Sequence, residues 1–182
     1  MFKPWPKITR LENKRSPVFT EKIDGTNACV IVAYQNPDAN SIASYETNEG
    51  VISIWAQSRT RLITPKNDNY GFANWVKTHG EELISLGEGH HFGEWWGQGI
   101  QRGYGLTEKR FSLFNTRRWG PHNPNTPKCC HVVPIIPVHF PQDALAQLQD
   151  YGSLAAPGWM KPEGAVMYEP DTDTCFKIIM DK

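Results

Sequence analysis

Lys22 and Asp24 stand two residues apart in "EKIDGTN", with Gly25 next. Residues two apart in an extended chain point the same way, so an amine and a carboxylate share a face. Gly25 lets the backbone turn sharply and a ligand approach closely. Such a group at the mouth of a strand could serve a bound ligand. The plainer alternative is a solvated lysine in a turn that feeds a hairpin. Asp24-Gly25 is a turn signal, and Ala28 to Tyr34 reads as a strand. "FGEWWGQGIQRGYG" ends an apolar strand with Glu94 and continues into a loop with four glycines. The N–H groups of such a loop can cradle phosphates or a ribose. It lacks the strand–GxGxxG–helix order of a dinucleotide fingerprint, and the chain has no GxxxxGK(S/T) loop.

Two further acid- or lysine-bearing stretches lie near the end. "KPEGAVMY" places Glu163 and a glycine before a short β-prone run, and "TCFKIIM" sets Lys177 alone inside an apolar strand. A lysine there either snorkels to the surface or faces an anion. "SRTR", with Arg59 and Arg61, and "EKRFSLFNTRRW", with Phe111 and Phe114, interleave cations with aromatics. That composition suits bases and phosphates, and equally a solvated basic face over core rings. The cysteines are Cys29, Cys129, Cys130 and Cys175, with His131 after the adjacent pair. Adjacent ligands rarely close a tetrahedron, so reduced thiols are the reading rather than a Cys-Cys-His metal site. His90, Phe92 and Glu94 share one strand face, without a further ligand cluster near them in sequence.

These groups must be positioned by a chain of 182 residues, long enough for one domain with a sizeable core. The formal net charge is zero, so any nucleic-acid contact uses a local patch. No apolar run reads as a membrane span or a secretory signal, and a cytoplasmic location follows by default. Residues 1–20 read as a proline-rich, charged lead-in. Strands are expected at 27–34, 51–57, 90–95, 111–115, 131–138, 164–168 and 174–180. "HVVPIIPVHF" holds two internal prolines, which makes it an edge or irregular strand. Helices are expected at 70–86, from a stripe of Phe72, Trp75, Val76, Leu83 and Ile84, and at 141–150, with proline at its start, Leu145 and Leu148 on one side and Gly152 beyond. "NTRRWGPHNPNTPKCC" reads as an exposed, loop-like insertion. This order of elements predicts an α+β fold with largely antiparallel sheets and a few helices.

Taken in order, Lys-x-Asp-Gly, Gly-Glu, Phe-x-x-Phe-Asn, Glu-Gly-x-Val and a lysine on the last strand resemble the covalent nucleotidyltransferases, the superfamily of RNA ligases, DNA ligases and mRNA capping enzymes. "EKIDGTN" and "FGEWWGQGIQ" are most similar to the ATP-dependent RNA ligases. The resemblance spans residues 21 to about 180. It implies a nucleotidyltransferase adenylation domain of the ATP-grasp-like ligase type, with ATP and Mg2+ (or Mn2+) as cofactors. The implied partner is RNA with 5′-phosphate and 3′-hydroxyl ends, joined through a lysyl-AMP as in RNA repair. By the same resemblance Lys22 is the nucleophile and Asp24 orients the site or the metal. Glu21 and Thr26, with Asn27 beside them in the motif, flank the adenine edge. Arg59 lies near ribose and phosphates, with Arg61 as fallback. Glu94 binds the ribose hydroxyls, Phe114 stacks on adenine while Phe111 is core, Glu163 is the main metal ligand, and Lys177 contacts the α-phosphate. The family's last motif holds two lysines one residue apart, but here Cys175 and Ile179 flank Lys177, and Lys182 is too far along to substitute. The chain ends at Lys182, just after that motif, and reads as a single domain, 1–182, without the C-terminal accessory domain of many relatives. A DNA ligase or a capping enzyme uses the same chemistry, though Thr26-Asn27 and "GQGIQ" argue against both. A catalytically silent nucleic-acid-binding module with the same fold is the reading from another class. Retention of Lys22, Asp24, Glu94, Glu163 and Lys177 together argues against it.

Overall fold

A computed structural model of the chain describes residues 14–180 together with Pro4, Ile8 and Arg10. Half of the proline-rich lead-in, and Lys182, lie outside the described residues. Two sheets carry the fold. The larger is built from β2 (Thr26–Ala33), β3 (Ala43–Thr47), β4 (Gly50–Ser58), β5 (Leu62–Ile63), β6 (Gly89–Gly97), β7 (Lys109–Leu113) and β8 (Cys130–Val132), in the order β3-β4-β2-β6-β7-β8 with β5 on β4. The smaller is built from β1 (Val18–Lys22), β9 (Ile135–Ile136), β10 (Gly164–Glu169) and β11 (Thr174–Ile179), in the order β11-β10-β1-β9. All these pairings are antiparallel except β7 with β8. With two helices, α1 (Phe72–Leu83) and α2 (Pro141–Tyr151), this is the expected α+β architecture.

Each helix covers one sheet face. α1 buries Phe72, Ala73, Val76, Gly80 and Leu83 against Ala28, Val30, Val32, Ile54, Trp95 and Phe111 of the large sheet. Phe72, Trp75, Trp95 and Phe111 form an aromatic cluster with ring centroids 5.1–5.7 Å apart. Asp68 closes the start of α1. Its carboxylate accepts from the backbone N–H of Ala73 (2.7 Å) and Asn74 (3.0 Å), donors that a helix start otherwise leaves unpaired. α2 starts at Pro141, ends at Gly152 in a positive-φ conformation, and buries Ala144 and Leu148 against Phe19, Ile136 and Ala165 of the small sheet. A third cluster of Ile23, Trp96, Tyr104, Val133 and Ala156 packs where the two sheets join.

The structure departs from the expected elements in an instructive way. Residues 18–20 belong to β1 rather than to a lead-in, and Phe19 and Glu21 alternate as its buried positions. β3 is a mostly exposed edge strand, held by its ladder to β4, so it has no apolar signature. The 131–138 stretch splits at Val133-Pro134, and its halves become the edge strands of different sheets. The same split rules the opening motif. Asp24-Gly25 does not feed a hairpin, because β1 lies in the small sheet and β2 in the large one. The chain crosses between them in three residues, Ile23 to Gly25.

Gly25 makes that crossing possible. A Cβ there would lie 2.4 Å from the Trp95 carbonyl oxygen and 2.7 Å from the Trp96 Cβ. The constraint is close approach rather than backbone conformation. Gly25→Ala should therefore destabilise the fold by about 1–3 kcal/mol, the usual cost of forcing a methyl into packed space. Urea unfolding of the two proteins measures this, and an unchanged midpoint would show that the crossing relaxes freely.

Candidate active site

Lys22 is the last residue of β1, on the sheet face opposite α2. Directly across the ladders the row reads Lys22, Gly164, Ile179, and the next row reads Thr20, Val166, Lys177. The Lys22 Nζ lies 2.7 Å from the Glu163 carboxylate, in an ion pair whose side chains are 28% and 18% exposed. Glu163 immediately precedes β10, and its carbonyl accepts from Met180 N–H (3.0 Å), extending the ladder to its position. Gly164 beside it also has no room for a side chain, since a Cβ would sit 2.0 Å from the Ile178 carbonyl oxygen. The strand next to Lys22 thus presents no side chain in its row.

Glu94 comes from the other sheet. It lies on the β6 face opposite α1, paired in register with Asn27. Its Oε1 accepts from the Gly25 N–H at 3.1 Å. Burial raises its pKa to about 7, while that hydrogen bond and the charge of Lys22 pull it down, and Glu163 and Asp24 push it up. Lys22, Asp24, Glu94 and Glu163 therefore share one electrostatic neighbourhood at the join of the sheets.

In the glycine-rich loop after β6, the N–H groups of Gln98, Ile100, Gly103 and Leu106 are bonded to carbonyls within the loop and its flanks. Its side chains brace the crossing. The Tyr104 hydroxyl accepts from the Asp24 N–H at 2.7 Å. Arg102 donates from Nε to Asp24 at 3.0 Å, and from Nη1 to the Lys161 and Pro162 carbonyls at 2.9 Å each. One guanidinium thus ties the segment after Lys22 to the segment before Glu163. Sequence reasoning passed over Arg102. The signal was an arginine inside an otherwise uncharged glycine-rich loop.

Glu21 is 1% exposed. Its carboxylate accepts from Ser153 Oγ (2.6 Å) and from the N–H groups of Leu154 and Ala155 (2.8 Å each). Burial raises its pKa and these bonds oppose the rise. Thr26 pairs with Trp95, on the sheet side that α1 covers, and its hydroxyl accepts from Asn69 at 3.3 Å. Both side chains thus have partners other than the expected adenine edge. Phe114 directly follows β7; its N–H donates to the Phe92 carbonyl at 3.0 Å. Phe114 is 40% exposed while Phe111 is fully buried, the core placement expected of Phe111. Arg59 follows Ser58, the partner of Ala28, and is exposed. Arg61 is instead engaged with the Asn67 and Asp68 carbonyls. Lys177 is exposed on β11, on the same face as Lys22. Glu163 and the Asp24 oxygen not bonded to Arg102 suit a hard cation that takes one or two carboxylates and draws its other ligands from phosphate and water.

Residues 15–179 match the RNA ligase family. The chain belongs to that family. Among solved structures, it resembles Naegleria gruberi RNA ligase in an apo variant, with 24% identity, a TM-score of 0.56 and coverage of 92% of this chain and 50% of that one. A variant of the same enzyme with ATP and Mn matches at 24% identity and TM-score 0.57, over 92% and 50%. A variant with AMP and Mn matches at 24% and 0.56, over 92% and 51%. These likenesses show a shared nucleotidyltransferase-type fold, and this chain spans about half the length of those chains. No curated protein matches it. Among the described residues no helix is long and apolar enough to cross a membrane.

The raised Glu94 pKa has a consequence for stability. Between its ordinary value of 4.5 and about 7 the folded chain holds a proton that the unfolded chain releases. This contribution to stability therefore falls as pH rises through that window. Glu94→Gln keeps an acceptor for Gly25 and removes the charge. Its advantage in urea midpoint over the wild type should grow between pH 4.5 and 7 and then level off. A constant gap across the range would mean that Glu94 titrates normally.

Proposed function

We propose that this chain is the adenylylating part of an ATP-dependent RNA ligase. The observation that carries the reading is Lys22, on an open sheet face, held 2.7 Å from Glu163 in one neighbourhood with Asp24 and Glu94. Three bond exchanges follow. The Lys22 amine attacks the α-phosphorus of ATP, an N–P bond forms, and pyrophosphate leaves. A 5′-phosphate oxygen of RNA then takes the AMP and frees the lysine. Finally a 3′-hydroxyl attacks that phosphate and AMP departs, leaving a sealed phosphodiester.

An ordinary lysine is protonated at neutral pH and has no lone pair to offer. The Lys22 amine is held 2.7 Å from Glu163, so attack requires Glu163 to let go. Glu163 and Asp24 would hold Mg2+ or Mn2+, which offsets phosphate charge when bound. Glu94, when ionised, accepts from the ribose hydroxyls, and its paired neighbour Asn27 borders the same pocket. The exposed ring of Phe114 stacks on adenine from the sheet face that carries Glu94. Arg59 and Lys177 contact phosphates from opposite sheets. Arg102 acts by position, since it fixes Asp24 and the approach to Glu163.

Incubation with α-labelled ATP and Mg2+, then denaturing electrophoresis, tests the first exchange. The wild type should carry a covalent label, chased into product by 5′-phosphorylated RNA with a 3′-hydroxyl end. Lys22→Arg should lose the label entirely, because a guanidinium stays protonated. Full labelling of a folded Lys22→Arg protein would sink the assignment. The same assay with GTP, or with DNA ends, separates the capping and DNA-ligase alternatives.

Phe114→Ala should weaken ATP use by about 1–3 kcal/mol, the worth of one base–aromatic stack, and Phe114→Trp should restore it. Titration of label against ATP concentration reads this out. Wild-type apparent affinity in Phe114→Ala would place the adenine against another ring.

A further inference from the structure

Behind the large sheet, on the side that α1 covers, a second group of ligating side chains has no part in the chemistry above. His79 and Glu82 sit three apart on α1, hence on one helix face. Cys129 reaches them from the end of the long loop before β8. One ligating atom from each of the three lies within 4.8 Å of the others. A tetrahedral zinc ion with bonds of about 2.0–2.3 Å spaces its ligand atoms about 3.3–3.8 Å apart, so small side-chain rotations close the set. The arrangement is held before any ion arrives. The Cys129 N–H donates to Glu82 Oε1 at 2.8 Å, and the His79 ring packs 5.0 Å from Trp75. A surface hollow of about 320 Å3, lined by Thr78, His79, Glu81 and Glu82, leads to the place.

We propose that His79, Glu82 and Cys129 bind one zinc-class divalent cation, with solvent in the fourth position. The donor set decides the class. Imidazole and thiolate together favour zinc over magnesium, calcium or manganese, which prefer all-oxygen sites. Binding releases the Cys129 thiol proton to solvent. The ion staples the 115–129 segment to α1. The set differs from the Cys-Cys-His group weighed from the sequence. Cys129 recruits a helix histidine from a distant part of the chain, while Cys130 is buried and His131 lies outside the group. The site is distinct from the Lys22 pocket, so its test does not depend on ligase activity.

The test strips the full chain with a chelator and titrates it with Co2+ in the presence of excess Mg2+, then displaces the cobalt with Zn2+. A thiolate-to-cobalt charge-transfer band should rise to one equivalent, disappear on adding zinc, and accompany a rise in melting temperature. Cys129→Ser and His79→Ala should each lose the band, whereas Cys130→Ser and Lys22→Ala should keep it. Circular dichroism confirms that the variants are folded. Absence of the band in the wild type, its suppression by Mg2+, or its survival in folded Cys129→Ser overturns the proposal.

Discussion

The three-residue crossing from β1 to β2 is the constraint on which the site depends. Ile23 is buried in the cluster that joins the sheets, and Gly25 lies against the Trp95 carbonyl. Between them, Asp24 is held by Tyr104 and Arg102. With both ends and the middle fixed, Lys22 has little freedom to move relative to Glu94, although the two belong to different sheets. A longer linker would let the sheets slide and would separate amine from carboxylate. The crossing converts two largely antiparallel sheets into one site.

The residue before the lysine secures the other side. Successive residues of a strand face opposite ways, so Glu21 and Lys22 serve different faces of the small sheet. A carboxylate removed from water is costly unless its oxygens are bonded. The Ser153, Leu154 and Ala155 donors meet that need, and in doing so they fasten the loop after α2 to β1. That loop carries Ala156 into the cluster that also holds Ile23. A polar group thus fixes the strand end that an apolar contact could not orient as narrowly.

Much of this was legible beforehand because it depends on local pattern. The helices follow from the Phe72–Val76–Leu83 stripe and from Pro141 with Gly152. Six of the seven expected strands follow from β-prone runs, and the seventh, 131–138, breaks at Val133-Pro134. What stayed hidden depends on partners far away in sequence. Nothing in "VFTEK" announces a strand until β10 and β9 flank it, and nothing in "GIQRGYG" announces that Arg102 will reach Asp24 and the Lys161 carbonyl. Glu94 and Glu163 stood out as acids beside glycines, a signal that survives because both need close backbone approach. Glu21 and Thr26 did not betray their partners, since adjacency to a lysine says nothing about which strand face a side chain takes.

The lone lysine of the last strand can now be placed by register. Ile179, not Lys177, lies in the row that runs from Lys22 through Gly164. Lys177 is two residues away along β11, about 7 Å, in the row of Thr20 and Val166. The position in line with Lys22 is thus apolar. The Lys177 cation approaches from one side, across a row whose centre has no side chain. That geometry puts no side chain between Lys22 and β11, and Glu163 is the charged group in contact with that amine. The charged neighbour that Lys22 touches is therefore a carboxylate rather than a second ammonium. On the proposed reading, departure of Glu163 is then the local event that frees the Lys22 amine to react, since its own row holds only Gly164 and Ile179.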